Sequence, residues 1–466
     1  MLPMIAVMFL STAPMVPTEE EVLESTQNHF PVILQAIEGM QAAQGDVQAR
    51  MGAFDAKVVS NNTSVPVGYY KRDYWDAQIE KSFGFAGSHV YAGYSYGFRG
   101  MFPPQYSTFS TNSGGTPRVG GSFSALRGFS IDARRAEIRK AELALNTSKL
   151  DIQRTRISVK RDARIAYWHW ISTVRNVQIH QDLLDLAENR NRVLEQRARA
   201  GDISNVVVTE NLQYIAHRRA ELASAELGMR QSALDLSLFY RDQNGEPRLV
   251  GNVAPHDLDT RMQTRAQDVE TNADHGLYPA FQGGSLLRRP DVLSLSNELA
   301  INQWDVKLAK NMFLPKLDLG IDYTKNIGNQ DPSNAPHVLT IFINLEIPIE
   351  YNLLKGISKT AHARQRALTS QYNFLIQSIQ VEIDKLRQAI SFSRKRMNNA
   401  QQEMNYAKEL VQAETYKFTQ GGSNLFLVNI REAAYTQALQ NTILSQLDLI
   451  RAQADYEAST TLAPKE

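Results

Sequence analysis

The chain of 466 residues contains no cysteine. That excludes a disulfide framework, a thiol nucleophile, a cysteine zinc site and lipidation on an N-terminal cysteine. It has no excess of either charge, with 50 basic against 49 acidic residues, so no polyanionic partner such as nucleic acid is implied. No stretch reaches the ~18 continuous apolar residues of a transmembrane helix. A chain of this kind crosses a bilayer only as part of a β-barrel. The nine histidines are scattered, and His169 and His180 stand too far apart on one helical pattern to share a metal. Phosphate-cradling, dinucleotide and nucleophile-elbow motifs are missing. Nothing here points to an enzyme, a metal or a cofactor.

What is present is an internal repeat. "NHFPVILQAIEGMQAAQGDVQARMGAFDAKVV" near residue 30 answers "RRPDVLSLSNELAINQWDVKLAKNMFLPKLDL" near residue 290. Asp46-Val47 falls on Asp305-Val306, Phe54 on Phe313 and Lys57 on Lys316, at an offset of 259. Further on, Gly128, Ser130 and Ala133 fall on Gly356, Ser358 and Ala361 at an offset of 228, and Gly201 falls on Gly421 at 220. The offset drops by 31 across the region between the first two blocks, so the first half carries the longer version of it. Each half reads helix, extended region, long helix, glycine break, helix. The expected organisation is a possible atypical or truncated signal segment over 1–17, a first repeat over 18–250, a linker over 251–284 and a second repeat over 285–466. The hairpin regions fall at about 58–127 and 316–350. In the opening segment an apolar run is followed by Ser11-Thr12-Ala13, as near a secretory cleavage site, without a positive n-region.

The long helix of the second half has the clearest period. From Tyr372 through Ile379, Ile383 and Ile390 to Val411, apolar residues recur at alternating steps of four and three, with Ser393 the one polar member. This heptad seam predicts coiled-coil packing over Ala361–Gln420. Its counterpart, over Ile131–Ala200, keeps a seven-residue step at Ala163, Trp170, Val177 and Leu184. At 1.5 Å per residue the two helices run ~90 Å and ~105 Å. The cluster Tyr167–Trp170 ("YWHW") reads as packing within that helix. Pro290 and Asp291 in "RRPD" mark a helix start. By contrast, "KLDLGIDYTK" and "VLTIFINLEI" alternate with period two, as strands do. "HVYAGYSYGF" and "RVGGSFSAL" supply extended segments in the first half. About two strands per half, four in all, cannot close a barrel alone and leave open edges. The chain therefore calls for further copies of itself.

Taken in order, "GFSIDARRAEIRKAELAL", "RARAGDISNVVVTENL", "RRPDVLSLSNELAINQWDVKLAKNMFLPKLDL" and "YKFTQGGSNLFLVNIREAAYTQA" resemble the TolC-type outer membrane efflux proteins, over roughly Glu19–Leu462. The resemblance implies a mainly α fold with a β-barrel part. In it a homotrimer builds a twelve-stranded outer membrane barrel in contact with lipid, continued by a long periplasmic helical tube. It implies a passive exit duct of a tripartite efflux or type I secretion system. Its partners would be a periplasmic adaptor (membrane fusion) protein and an inner membrane pump of RND, ABC or MFS type. Under this resemblance Gly201-Asp202 and Gly421-Gly422-Ser423-Asn424 are the turns at the periplasmic tip, where the adaptor docks. The places of the acidic ring of several relatives hold Leu427 and Ile430, so the constriction is read as apolar, with Asp202 and Glu210 as the nearest acids. The loop within Ser107–Arg118 would face the outside of the cell. A soluble or periplasmic coiled-coil adaptor or scaffold is the alternative reading.

Overall fold

The computed structural model describes residues 16–68, 71–99, 111–250, 256–274, 286–329 and 335–463. Most of the segment read as a signal, residues 107–110 of the loop read as external, and much of the linker lie outside these. The chain divides into two compact units, one of 38–150 with 291–374, the other of the residues up to Ile37 with 151–290 and 375–466.

The first unit holds one sheet. Its strands are β1 (Lys57–Val65), β2 (Arg72–Ser82), β3 (His89–Arg99), β4 (Thr116–Ser124), β5 (Lys316–Lys325) and β6 (His337–Glu346). They lie side by side in chain order, every neighbouring pair antiparallel. The sheet thus has six strands where the sequence suggested four, and the first half supplies four of them. The repeat locates the surplus. Lys57 of β1 corresponds to Lys316 of β5, and β4 precedes its helix as β6 does. The hairpin β2–β3 is therefore the added piece, and it accounts for the 31-residue drop in offset. Thr116–Arg118, read as the end of a loop, opens β4. Pro117 is only its second residue, at an end where proline is tolerated.

Period-two alternation sorts the sheet into two faces. Through the cross-strand partners, Ile79, Val90, Val119, Phe123, Ile321 and the β6 row from Leu339 to Leu345 share one face. All of these are exposed, with Leu339, Ile341, Ile343 and Leu345 at 60–73%. The opposite face carries Asp76, Gln78, Tyr91, Ser95, Arg118 and Asp322, hydrogen-bonded to one another. Arg118 of β4 stands directly opposite Gly93 of β3, which stands opposite Gln78 of β2. With no side chain at Gly93, the guanidinium passes over β3. It donates to Gln78 Oε1 at 2.7 Å and to Asp76 Oδ2 at 2.8 Å. Glycine at 320 likewise leaves room for the ring of Phe342, which would lie 2.1 Å from an added Cβ.

Helices leave the sheet from one end. Helix α2 (Pro31–Met51) leads into β1, and α3 (Ala133–Arg199) follows β4. Helix α6 (Pro290–Asn311) leads into β5, and α7 (Asn352–Thr419) follows β6. Within this unit Asn311 donates to the Ile131 carbonyl at 2.8 Å and Lys140 to Asp305 at 2.9 Å. Val306, Ala309 and Ala361 pack together between α6 and α7.

The second unit is helical. It contains α1 (Glu19–His29), α4 (Asn205–Ser237), α5 (His256–Asp274), α8 (Leu425–Thr460) and long stretches of α3 and α7. A capping box starts α1: Thr18 accepts from the Glu21 amide while Glu21 accepts from the Thr18 amide. Helix α5 lies within the segment read as a linker, with Met262, Ala266 and Val269 buried at helical spacing. Tyr167, Trp168 and Trp170 sit in the main core with Leu236, Ile443 and Leu447, as the packing reading of that cluster required. The seam of α7 is also as read: Ile379, Ile383, Ile390, Met397 and Ala400 are buried, and no member of it is exposed. Among the described residues no helix is long and apolar enough to cross a membrane.

Candidate functional site: the helix–helix turns and the polar cluster beside them

The two glycine breaks fold into the same turn. At the first, the Gly201 amide donates to the Ala198 carbonyl and the Asp202 amide to that of Arg197, at 3.1 and 3.0 Å. At the second, Gly421 donates to Phe418 and Gly422 to Lys417, at 3.1 and 2.9 Å. This is the Schellman pattern, which satisfies the last carbonyls of α3 and α7 and needs a left-handed residue at the reversal. Gly201 has φ +81° and Gly421 φ +76°. Three residues on from each glycine, a side chain caps the returning helix. Ser204 accepts from the Val206 amide, and Asn424 from the Leu427 amide at 3.0 Å. Ser204 was not singled out in the sequence, although the offset of 220 that joins Gly201 to Gly421 also joins it to Asn424. Ser423 donates back to Glu414 of α7, closing the second turn.

The two glycines of the second turn have different jobs. Gly422 has no positive φ, and a Cβ there meets only the Lys417 carbonyl at 3.6 Å. We expect Gly421→Ala to cost ~1–2 kcal/mol, the penalty of a left-handed L-residue, and Gly422→Ala to be close to neutral. Paired thermal unfolding of the two variants checks this, and equal losses would contradict it.

Of the apolar burst after Asn424, Leu425 and Val428 are buried and seat α8. Leu427 and Ile430, one helical step apart, are 42% and 45% exposed. Phe426 and Val206 are exposed as well. Asp202 is exposed and Glu210 half-buried. The structure thus places the residues named from the sequence at two matching turns and leaves Leu427 and Ile430 open to a further surface.

A cluster that sequence reading missed ties α3, α4 and α8 together. Glu432 is 2% exposed and bonds to Arg190 of α3. Arg190 also donates to Asn429 at 3.2 Å, and the Tyr214 hydroxyl reaches the other Glu432 oxygen at 3.4 Å. Arg218, buried on α4, bonds to the Tyr214 hydroxyl and donates to Glu221 at 2.8 Å. Its guanidinium also lies over the Tyr214 ring at 4.7 Å. Burial opposes the Arg218 charge, but Tyr214 and Glu221 more than offset it and hold its pKa above the ordinary value. Beside them His180 is pushed down, by burial first and by the nearby Arg218, with Glu221 acting against the shift. It is therefore neutral at pH 7, and Gln440 lies 3.1 Å from its Nε2. The one available sequence signal was Glu432 itself, which falls on the buried stripe Leu425, Val428, Thr436.

No family model matches the sequence. Two curated relatives do, both named pyoverdine export outer membrane protein OpmQ. The Pseudomonas aeruginosa protein is 24% identical over 322 residues, covering 69% of this chain and 64% of that protein. The Pseudomonas putida protein is 22% identical over 339 residues, covering 72% and 65%. The matches thus span just under two thirds of those relatives. Among solved structures, the outer-membrane channel OprN superposes with a TM-score of 0.66 at 13% identity, covering 96% of this chain and 90% of that one. CusC gives 0.68 at 11% identity, covering 96% and 92%. VceC from Vibrio cholerae gives 0.66 at 15% identity, covering 95% of each chain. The chain has the TolC-type outer membrane channel fold. The resemblance read from the order of the motifs and the likeness of the structures agree.

Proposed function

We propose that the chain is a passive outer membrane exit duct. It works as a homotrimer with a periplasmic helical extension and forms the last element of a tripartite efflux or type I secretion assembly. The observation that carries this is the sorting of the sheet: a continuous, solvent-exposed apolar row on one face and a bonded polar network on the other. A lipid-facing wall around an aqueous lumen has this composition, and a β domain of a soluble scaffold has no use for it. Energy comes from an inner membrane pump of RND, ABC or MFS type, joined through a periplasmic adaptor that docks at the turns around Gly201 and Gly421. The relatives named for pyoverdine export favour a small secreted molecule as cargo over a folded protein.

The mouth of the duct is closed by apolar packing at Leu427 and Ile430, and the residual negative charge lies at Asp202 and Glu210. Constrictions of this kind gate by excluding water. The test is recording in planar bilayers after fractionation of the outer membrane. We expect channels of low conductance, only weakly blocked by a trivalent cation on the periplasmic side, with conductance rising several-fold in Leu427→Ser. Micromolar block would show that acids form the ring after all. Recovery of the protein in the soluble fraction would defeat the duct reading.

A further inference from the structure

We infer that the assembled wall has eighteen strands, closed by pairing of β6 with β1 of the next copy. This rests on the trimeric duct proposed above and goes beyond it in strand number, seam and register.

The added hairpin is built as wall. Its outward residues, Trp75, Ala77, Ile79, Val90 and Tyr94, continue the apolar face. Its inward residues, Asp76, Gln78 and Ser95, belong to the polar network. Both its strands are paired along their length, β2 with β1 and β3 with β4. The hairpin therefore widens the sheet from within, and the free edges remain those of β1 and β6.

The repeat says what covers those edges. It maps β5 onto β1 and β4 onto β6, so the β4·β5 junction inside one chain is the image of a β6·β1 junction between chains. The facing also agrees, for β1 turns an uncharged row outward (Val58, Ser60, Asn62, Ser64) in phase with Ile79 of β2.

The register closes as well. Followed straight across the ladder, Lys57 at the start of β1 is level with Glu80, Tyr91, Gly120, Asp322 and Thr340. Strand β6 continues six residues beyond Thr340, to Glu346. Helix-bearing strand ends of neighbouring copies belong at one membrane boundary, so each copy steps by about six residues. A step of ~20 Å over six strand widths of ~29 Å gives a tilt of about 35°, within the range of closed barrels. On this register Lys57 meets Glu346 of the neighbouring copy, the residue opposite Lys316 within its own chain, and Thr63 meets Thr340. Eighteen strands at that tilt make a backbone cylinder ~34 Å across, against ~22 Å for twelve.

The absence of cysteine makes the seam directly testable in the full chain. In Thr63→Cys/Thr340→Cys, mild oxidation is expected to yield a covalent trimer on non-reducing gels. Neither single variant, nor Thr63→Cys/Ile341→Cys with its register slipped by one, should do so. Electron cryo-microscopy of the unmodified protein in nanodiscs is expected to show eighteen strands. A trimer with a twelve-stranded wall, or a trimer that crosslinks only in the slipped register, overturns the inference and leaves the duct intact. A protein that forms no trimer defeats the duct reading itself.

Discussion

Replacing Glu432 by alanine is expected to destabilise the helical unit by ~3–5 kcal/mol, because it leaves a buried guanidinium without its carboxylate. The Arg190 side chain is only 11% exposed, and after the change it keeps Asn429 alone, at 3.2 Å. Tyr214 loses its acceptor in the same step. The loss is specific to the missing partner, so Arg190→Ala in the same background should restore part of it. Denaturant titration of the single and double variants in detergent, followed by helical circular dichroism, measures both quantities. A loss below ~1 kcal/mol, the usual value of a surface ion pair, would show that the pair is solvated.

The second large effect is expected at Gly93. A Cβ there would lie 2.7 Å from the Gln78 Cβ and 2.8 Å from the Ala77 carbonyl oxygen, and both atoms are fixed by the backbone of β2. It would also stand in the path of the Arg118 side chain. Overpacking costs ~1–3 kcal/mol, and the charge-assisted bonds from Arg118 to Asp76 and Gln78 add ~1.5–3 kcal/mol. Even Gly93→Ala should therefore lower the yield of protease-resistant, membrane-inserted protein severely. Gly84→Ala is the control: it meets nothing within 4 Å and should leave the yield unchanged. Equal yields from the two variants would mean that β2 and β3 are not held together as described.

The parts legible in the sequence were those written locally. The α7 seam follows from spacing alone, and the two turns follow from glycines at one offset. β5 and β6 follow from strict alternation. Of the β2–β3 hairpin, β3 falls on "HVYAGYSYGF", which reads as extended, whereas β2 was missed although Trp75, Ala77 and Ile79 alternate there with Asp76, Gln78 and Glu80. Within β3 the two faces are blurred, since Tyr91 faces the polar network while Tyr94, three residues on, faces outward. Aromatics on both faces and glycines between them erase the period. The cluster around Glu432 was hidden for another reason. Its partner Arg190 is 242 residues away in the chain, and only packing brings them together.

The outward row of β6 carries a consequence for biogenesis. In the sequence its leucines and isoleucines are interrupted by Thr340, Asn344 and Glu346, so the apolar stretch stays far short of the ~18 residues that halt a chain in a helix-inserting translocon. The greasy surface does not exist in the unfolded polypeptide and arises only when alternation is converted into a face. As the duct proposed above, such a chain would pass through the inner membrane like a water-soluble export substrate and acquire its affinity for lipid by folding. Insertion and folding are then a single event, and any escort in the aqueous space between has only to delay strand pairing.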